Sequence, residues 1–123
     1  MTQSFRDLVV WQRAVEMTAG IYTLTQDFPS SEMYGLTSQM RRAAVSVASN
    51  IAEGRGRLTD GEFRHFLGQA QGSNCELQTQ MEVARRLRYV RADMLQSVEA
   101  LSLEVGKMLS GLIGTLSAKA AKS

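Results

Sequence analysis

Cysteine occurs once in this chain, at Cys75. No internal disulfide framework can therefore hold the protein together, and the composition suits a reducing compartment, the cytoplasm. Cys75 itself reads as a small residue packed on a helix. Histidine also occurs once, at His65. The two lie on one predicted helix, too far apart for a Cys–His nucleophilic pair, and no Ser/His/Asp set is apparent. Strand-like alternation is nearly absent, and the β-branched residues fall in helical periods. Long apolar runs are missing too: Glu99, Glu104 and Lys107 interrupt the most apolar segment, Met94 to Leu116, which argues against a membrane span. No basic-then-apolar leader opens the chain, so no signal peptide is predicted.

What is present is the composition of one helical domain. The chain has 123 residues, 44% of them apolar and 21% charged. That is enough to bury a core without staples and too apolar for disorder. Periodicity predicts four helices, over about 5–27, 36–55, 60–88 and 92–116, and a frayed tail over 117–123. The first starts after Ser4, carries Leu8, Trp11, Val15, Tyr22 and Leu24 as its apolar positions with Phe5 and Ile21 beside them, and is stopped by Phe28-Pro29. The second has a stripe of Leu36, Met40, Ala43, Val47 and Ile51. Thr59 and Glu62 form a capping box for the third, whose stripe runs through Phe63, Phe66, Leu67, Ala70, Leu77, Met81 and Ala84. Leu95, Val98, Leu101, Val105, Leu109, Leu112 and Leu116 give the fourth the strongest stripe in the chain. Short connections between such helices predict an all-α, antiparallel, up-down-up-down four-helix bundle in a single domain, 1–123.

The second helix has an additional stripe. Gln39, Arg42, Ser46, Asn50, Glu53 and Arg57 recur at steps of three and four and mix short hydrogen-bonding groups with single charges. The third helix carries Glu62, Gln69, Ser73, Glu76 and Gln80 at the same spacing. Antiparallel neighbours with such stripes predict a structural polar network containing Ser73 and Glu76, in which Arg42 meets Glu76 and Arg57 meets Glu62. The alternative is a solvated face with i,i+4 pairs. Small apolar residues away from the main stripe of the second helix, Val45, Ala48 and Ala52, predict close approach by another copy of the chain.

Two patterns resemble ligand sites and fail on inspection. Gly54-Arg55-Gly56-Arg57 follows a helix instead of opening one, so it reads as a helix C-cap and not as a phosphate loop. Glu62-Phe63-Arg64-His65 matches Glu-x-x-His, but di-metal bundles need that motif from two helices plus two further Glu residues. The sequence assigns no metal, no cofactor and no catalytic residue. Arginine is the remaining signal. Eleven of the fourteen basic residues are arginine, at a net charge of +2, and arginine suits bidentate phosphate contacts. Arg85, Arg86, Arg88 and Arg91 are the first choice for a nucleic-acid surface, because Arg42 and Arg57 are expected to be committed to carboxylates. The competing reading is that cations there favour the helix C-terminus and solubility.

The run Gln-Met-Arg-Arg-Ala-Ala-Val-Ser-Val-Ala-Ser-Asn-Ile-Ala-Glu-Gly, residues 39–54, closely resembles the signature of the four-helix-bundle family of rRNA intervening-sequence proteins. Asp7-Leu8-Val9-Val10-Trp11-Gln12, Phe28-Pro29, Glu32-Met33-Tyr34-Gly35-Leu36, Gly72-Ser73 and Glu76-Leu77 extend the likeness over about Phe5 to Tyr89. Ala48 stands where the family pattern often has proline. The resemblance implies a cytosolic bacterial bundle that assembles as a ring-shaped homopentamer. It extends to the accessory protein of diversity-generating retroelements, a pentameric bundle that binds nucleic acid and a reverse transcriptase. The expectation is a non-enzymatic, ring-forming bundle that binds RNA, DNA or a nucleic-acid-handling protein and no membrane. A purely structural oligomer or protein adaptor is the alternative.

Overall fold

The computed structural model describes residues 4–122. Four helices carry the chain: α1 (Val9–Thr25), α2 (Leu36–Arg55), α3 (Asp60–Arg86) and α4 (Ala92–Ala121). Two 3-10 turns, Phe5–Asp7 and Ser30–Glu32, precede α1 and α2. α1 packs on α2 and α4, and α3 packs on α2 and α4, so the helices close a four-cornered ring in chain order. This is the up-down-up-down bundle. No helix among the described residues is long and apolar enough to cross a membrane.

Local chemistry explains the boundaries. Thr59 accepts a hydrogen bond from the Glu62 backbone N–H at 3.1 Å, the N-cap expected of its capping box. α3 ends at Arg86, two residues before the predicted Arg88. Arg88 N–H donates to Arg85 C=O and Tyr89 N–H to Ala84 C=O, both at 3.1 Å, and Arg88 has φ 60°. This is a Schellman motif with arginine in the left-handed position that glycine usually holds. No glycine stands there to signal the stop.

Helix α4 continues to Ala121, so the tail expected to fray from residue 117 is helical almost to its end. Its alanines and lysines favour helix, and Lys119 Nζ sits 2.8 Å from Asp60 Oδ2 at the start of α3.

The core differs from expectation mainly on α1. Val10, Ala14, Met17, Ile21 and Leu24 are its buried apolar residues, whereas Val15 and Tyr22 are 41% and 42% exposed. The α1 sequence holds two apolar stripes, and the one with smaller side chains faces the bundle. Trp11 stays at the edge, where it meets Phe5 edge-on with ring centroids 5.2 Å apart. The stripes predicted for α2 and α4 do line the core, through Met40, Ala43, Val47 and Ile51 and through Leu95, Val98, Val105 and Leu109.

Glycine acts here through size. Gly54 is buried inside α2, and a Cβ added to it would lie 2.6 Å from the Phe66 Cβ. No glycine among the described residues has positive φ, and α2 continues through Gly54 to Arg55. The Gly54–Arg57 run is therefore not a left-handed cap; its first glycine is the contact point between α2 and α3.

A fully buried polar pair joins α3 to α4. Asn74 is 1% exposed and Ser102 0%. Asn74 Nδ2 donates to Ser102 C=O at 2.9 Å, Ser102 Oγ donates to Asn74 Oδ1 at 2.8 Å, and Gln78 Nε2 donates to Ser102 Oγ at 3.0 Å. Gly106, a turn further along α4, leaves room for the amide: a Cβ there would sit 3.3 Å from Asn74 Nδ2.

Asn74→Ala strands buried groups of Ser102 and is expected to cost about 1–3 kcal/mol. Ser46→Ala, in a half-buried position, should cost about 0.5–1 kcal/mol. Urea titrations giving equal losses would contradict the assignment of Asn74–Ser102 as the main polar tie. Arg88→Gly relieves a left-handed arginine and is expected to stabilise the fold by about 1 kcal/mol; an unchanged or lower denaturation midpoint would show that the arginine side chain compensates.

Candidate nucleic-acid interface

The residues of the expected polar network are close in space but only sparsely joined. One hydrogen bond crosses from α2 to α3 within the set, between Ser46 Oγ and Ser73 Oγ at 2.9 Å. Asn50 turns back along its own helix, donating to Ser46 C=O at 2.8 Å and to Ser46 Oγ at 3.0 Å. Arg57 pairs with Glu53 at 2.5 Å on α2 and lies 3.9 Å from Glu62 on α3. Its guanidinium also covers the Phe66 ring at 4.6 Å. Glu76 accepts from Gln80 on the same helix at 3.2 Å. Gln39 and Arg42 are exposed and make no side-chain hydrogen bond or ion pair among the described residues. The expected Arg42–Glu76 pair is thus not formed among the described residues: Glu76 turns along α3 toward Gln80.

The first-choice arginines are mostly engaged. Arg85 pairs with Glu82 at 3.1 Å and with Glu99 across the α3–α4 seam, Arg86 pairs with Glu82 at 3.1 Å, and Arg91 pairs with Asp93 at 3.3 Å. The hydrogen bonds from Arg86 and then Arg85 hold the Glu82 carboxyl below its ordinary range. The bonds that Arg85 donates to Glu99 and then to Glu82 raise its guanidinium further. Glu99 is half-buried at this seam. Within the set only Arg88 makes no ion pair among the described residues.

His65 is exposed and shares a 3.1 Å contact with Gln69. No group of three His, Cys, Asp or Glu side chains able to hold a metal occurs among the described residues.

The arrangement missed from sequence lies at the start of α2. Glu32, in the preceding turn, accepts the Leu36 N–H at 3.2 Å on one oxygen and the Tyr89 hydroxyl at 3.0 Å on the other. This carboxylate fastens the entry of α2 to the end of α3, and Phe28 packs on Tyr89 with ring centroids 5.4 Å apart. Beside it runs an open groove of about 590 Å³. Tyr34, 97% exposed, stands at its mouth, and Ser38, Arg41 and Arg42 follow along one face of α2. Arg41 is held by a 2.9 Å hydrogen bond to Thr25 Oγ1 and by stacking on Tyr22 at 4.6 Å. No carboxylate lines the groove. The Ser38, Arg41, Arg42, Val45 spacing was visible in the sequence, but Arg42 had been assigned to Glu76.

Two measurements follow. The hydrogen bond to Glu32, with burial second, raises the Tyr89 phenol above its ordinary 10.0. A raised folded value favours folding while the phenol is protonated, so this contribution is complete below about pH 10 and is lost as pH rises through the folded value. Melts from about pH 8 to about pH 11.5 should show a shallower alkaline decline in Tyr89→Phe than in the parent; parallel curves would remove the clip from the stability account. Glu53→Ala should cost only about 0.5 kcal/mol, since the Glu53 and Arg57 side chains are 54% and 42% exposed. A loss above about 1.5 kcal/mol in chemical denaturation would restore a coupled network.

Known proteins agree with this architecture. A crystal structure of a protein with unknown function from the S23 ribosomal protein family of Bacteroides thetaiotaomicron VPI-5482 superposes with a TM-score of 0.76 at 21% identity. The superposition covers 85% of this chain and 97% of that one and establishes likeness of fold. None of the curated proteins matches the sequence. The model of the 23S rRNA-intervening sequence protein family matches residues 6–111, which take in α1, α2, α3 and the first two thirds of α4, and the chain belongs to that family.

Proposed function

We propose that this protein is a non-enzymatic, ring-forming oligomer that binds nucleic acid, or a nucleoprotein partner, through its arginine-rich ends, in the cytoplasm. The observation that carries the reading is where carboxylates are lacking. Arg41, Arg42 and Arg88 gather at one end of the bundle and Arg6, Arg55 and Arg64 at the other, none of them in an ion pair among the described residues. Arginines free of carboxylates are available to phosphates, and such contacts position a strand without specifying its sequence. Arg85, Arg86 and Arg91 add positive potential at the first end while remaining tied to Glu82, Glu99 and Asp93.

Self-association is supported by the outer side of α1 and α2. Val15, Tyr22 and Val45 are each about two-fifths exposed and flank a shallow apolar groove with Ala19 and Ala48 at its base. Small residues in that groove admit another helix closely, and none of the four helices among the described residues fills it. The family resemblance makes five the expected number of copies. A ring would present each basic end several times, so a long RNA gains avidity with no new contact.

Light scattering at micromolar concentration should give a closed oligomer, and a monomeric mass removes the ring. Anisotropy with a labelled single-stranded RNA should show affinity falling as salt rises, with a log–log slope of about −0.7 per phosphate neutralised. No binding at low salt leaves the structural oligomer or protein adaptor as the function.

A further inference from the structure

The first turn of α2 offers donors that the protein itself does not use. Leu36 N–H is taken by Glu32, and Gln39 N–H returns to Gly35 C=O at 3.0 Å. The N–H groups of Thr37 and Ser38, between them, have no acceptor among the described residues, and the N-cap residue, Gly35, has no side chain to offer them. Two adjacent unpaired N–H groups at the positive end of a 20-residue helix favour an anion. A second, independent feature points the same way. Thr37 lines the groove, is 4% exposed, and makes no side-chain hydrogen bond among the described residues. A buried hydroxyl left unpaired is costly unless a ligand or water completes it. The Thr37 hydroxyl is not among the fully enclosed unpaired atoms, which among the described residues comprise Gln80 Oε1 alone, so it keeps access from outside, and Thr37 is part of the groove lining.

The surroundings narrow the ligand. Arg41 and Arg42 lie one turn further along, on the same side as Ser38, and the groove contains no carboxylate. Arg41 is already fixed by Thr25 and Tyr22, so little order remains to be imposed on it. Glu32 is the nearest acid and both of its oxygens are occupied, by Leu36 N–H and the Tyr89 hydroxyl. Tyr34, just before the helix, also lines the groove and presents a ring that is 97% exposed. Donors for a phosphate beside a bare aromatic face are the paired elements by which proteins hold single strands: the backbone on cations and N–H groups, a base on the ring. The groove, at about 590 Å³, falls in the range of small-ligand sites.

We infer that the α2 entry is a nucleotide-binding site for single-stranded nucleic acid. The Thr37 and Ser38 N–H groups and hydroxyls receive one phosphodiester, Arg41 and Arg42 neutralise it, and Tyr34 stacks on the adjoining base. This rests on the nucleic-acid reading and assigns that reading a place. The site prefers single strands, because a paired base cannot reach Tyr34, and it is indifferent to sequence, because every base has a face to stack.

The test uses the full-length protein, a labelled single-stranded oligouridylate of about twelve nucleotides and a duplex of equal length. Arg42→Gln and Tyr34→Ala change exposed side chains and leave the core alone; Thr37→Val removes the hydroxyl; Lys107→Gln, on α4, controls for the loss of one charge. Arg42→Gln and Tyr34→Ala should each weaken the single strand about tenfold, Thr37→Val should weaken it about threefold, and Lys107→Gln should leave it within about twofold. Tyr34→Ala should leave the duplex unchanged. In a parallel amide-resonance titration, inorganic phosphate should shift Thr37 and Ser38 before other helix amides. If the parent binds the single strand and all three variants bind as well as Lys107→Gln, the site is wrong while the nucleic-acid reading stands. If the parent binds no RNA at low salt, both fall. If Arg42→Gln or Tyr34→Ala instead lowers the oligomer mass, the groove is occupied by a second copy of the chain and the nucleotide site is overturned.

Discussion

The bundle depends on how closely α2 and α3 can approach each other. Gly54 meets the Phe66 Cβ with no space for a methyl group. Ala43, Ala44 and Val47 on α2 and Ala70 on α3 are likewise small, and all are buried. A seam of small residues gains little from any single side chain. Its stabilisation is dispersion over many short contacts, which is lost outright when a gap opens. The remaining corners of the bundle are filled by larger residues, Met17, Met40, Met81, Leu95 and Leu109, each essentially inaccessible to solvent. Methionine adapts to the irregular space that a close pair leaves beside it.

This geometry also explains why the polar stripes of α2 and α3 do little tying. Where backbones lie close, short groups such as Ser46 and Ser73 can touch, and they do at 2.9 Å. Longer side chains find no room between the helices and lie along their own helix, as Glu76 with Gln80 and Glu53 with Arg57 do. The deeper polar connection sits one seam over, between α3 and α4, where Gly106 opens space for the Asn74 amide. A buried pair of this sort fixes the register of two helices, because sliding either one by a turn leaves unpaired groups in the core.

Much of the architecture could be read from the residues, and the failures have specific causes. The bounds of α2 and the start of α3 follow from glycine and from a capping box, which are local signals. The α1 face was misread because Val15 and Tyr22 satisfy the same periodicity as the residues that are buried; only the neighbours decide between two stripes. Asn74 was overlooked in the polar run Gln-Gly-Ser-Asn-Cys-Glu, although it falls on the step between Ala70 and Leu77. Ser102 holds the matching place between Val98 and Val105. A polar residue on an apolar step, present on two adjacent helices, was a usable signal. Which arginine meets which carboxylate was legible only in part, because those contacts depend on rotamers at the seams: Arg57 does reach Glu62, at 3.9 Å, whereas Glu99 holds Arg85 and Arg42 stands without Glu76.

The unequal helix lengths carry a further consequence. At 1.5 Å per residue, α1 spans about 26 Å and α4 about 45 Å. Arg13, near the start of α1, is level with Glu104, and the two pair at 3.2 Å. Beyond about residue 111, where the family match also stops, α4 has passed α1 and rests only on the first turns of α3, down to the Lys119–Asp60 pair. The molecule therefore has two cooperative units of different kind. One is a four-helix cross-section that opens only by global unfolding. The other is a two-helix extension, where half-buried Leu112, Ile113 and Leu116 pack at the edge of the core, and it opens at lower cost. Amide hydrogen exchange along α4 then becomes a ruler for the bundle, slow up to the level of α1 and rising steeply past it.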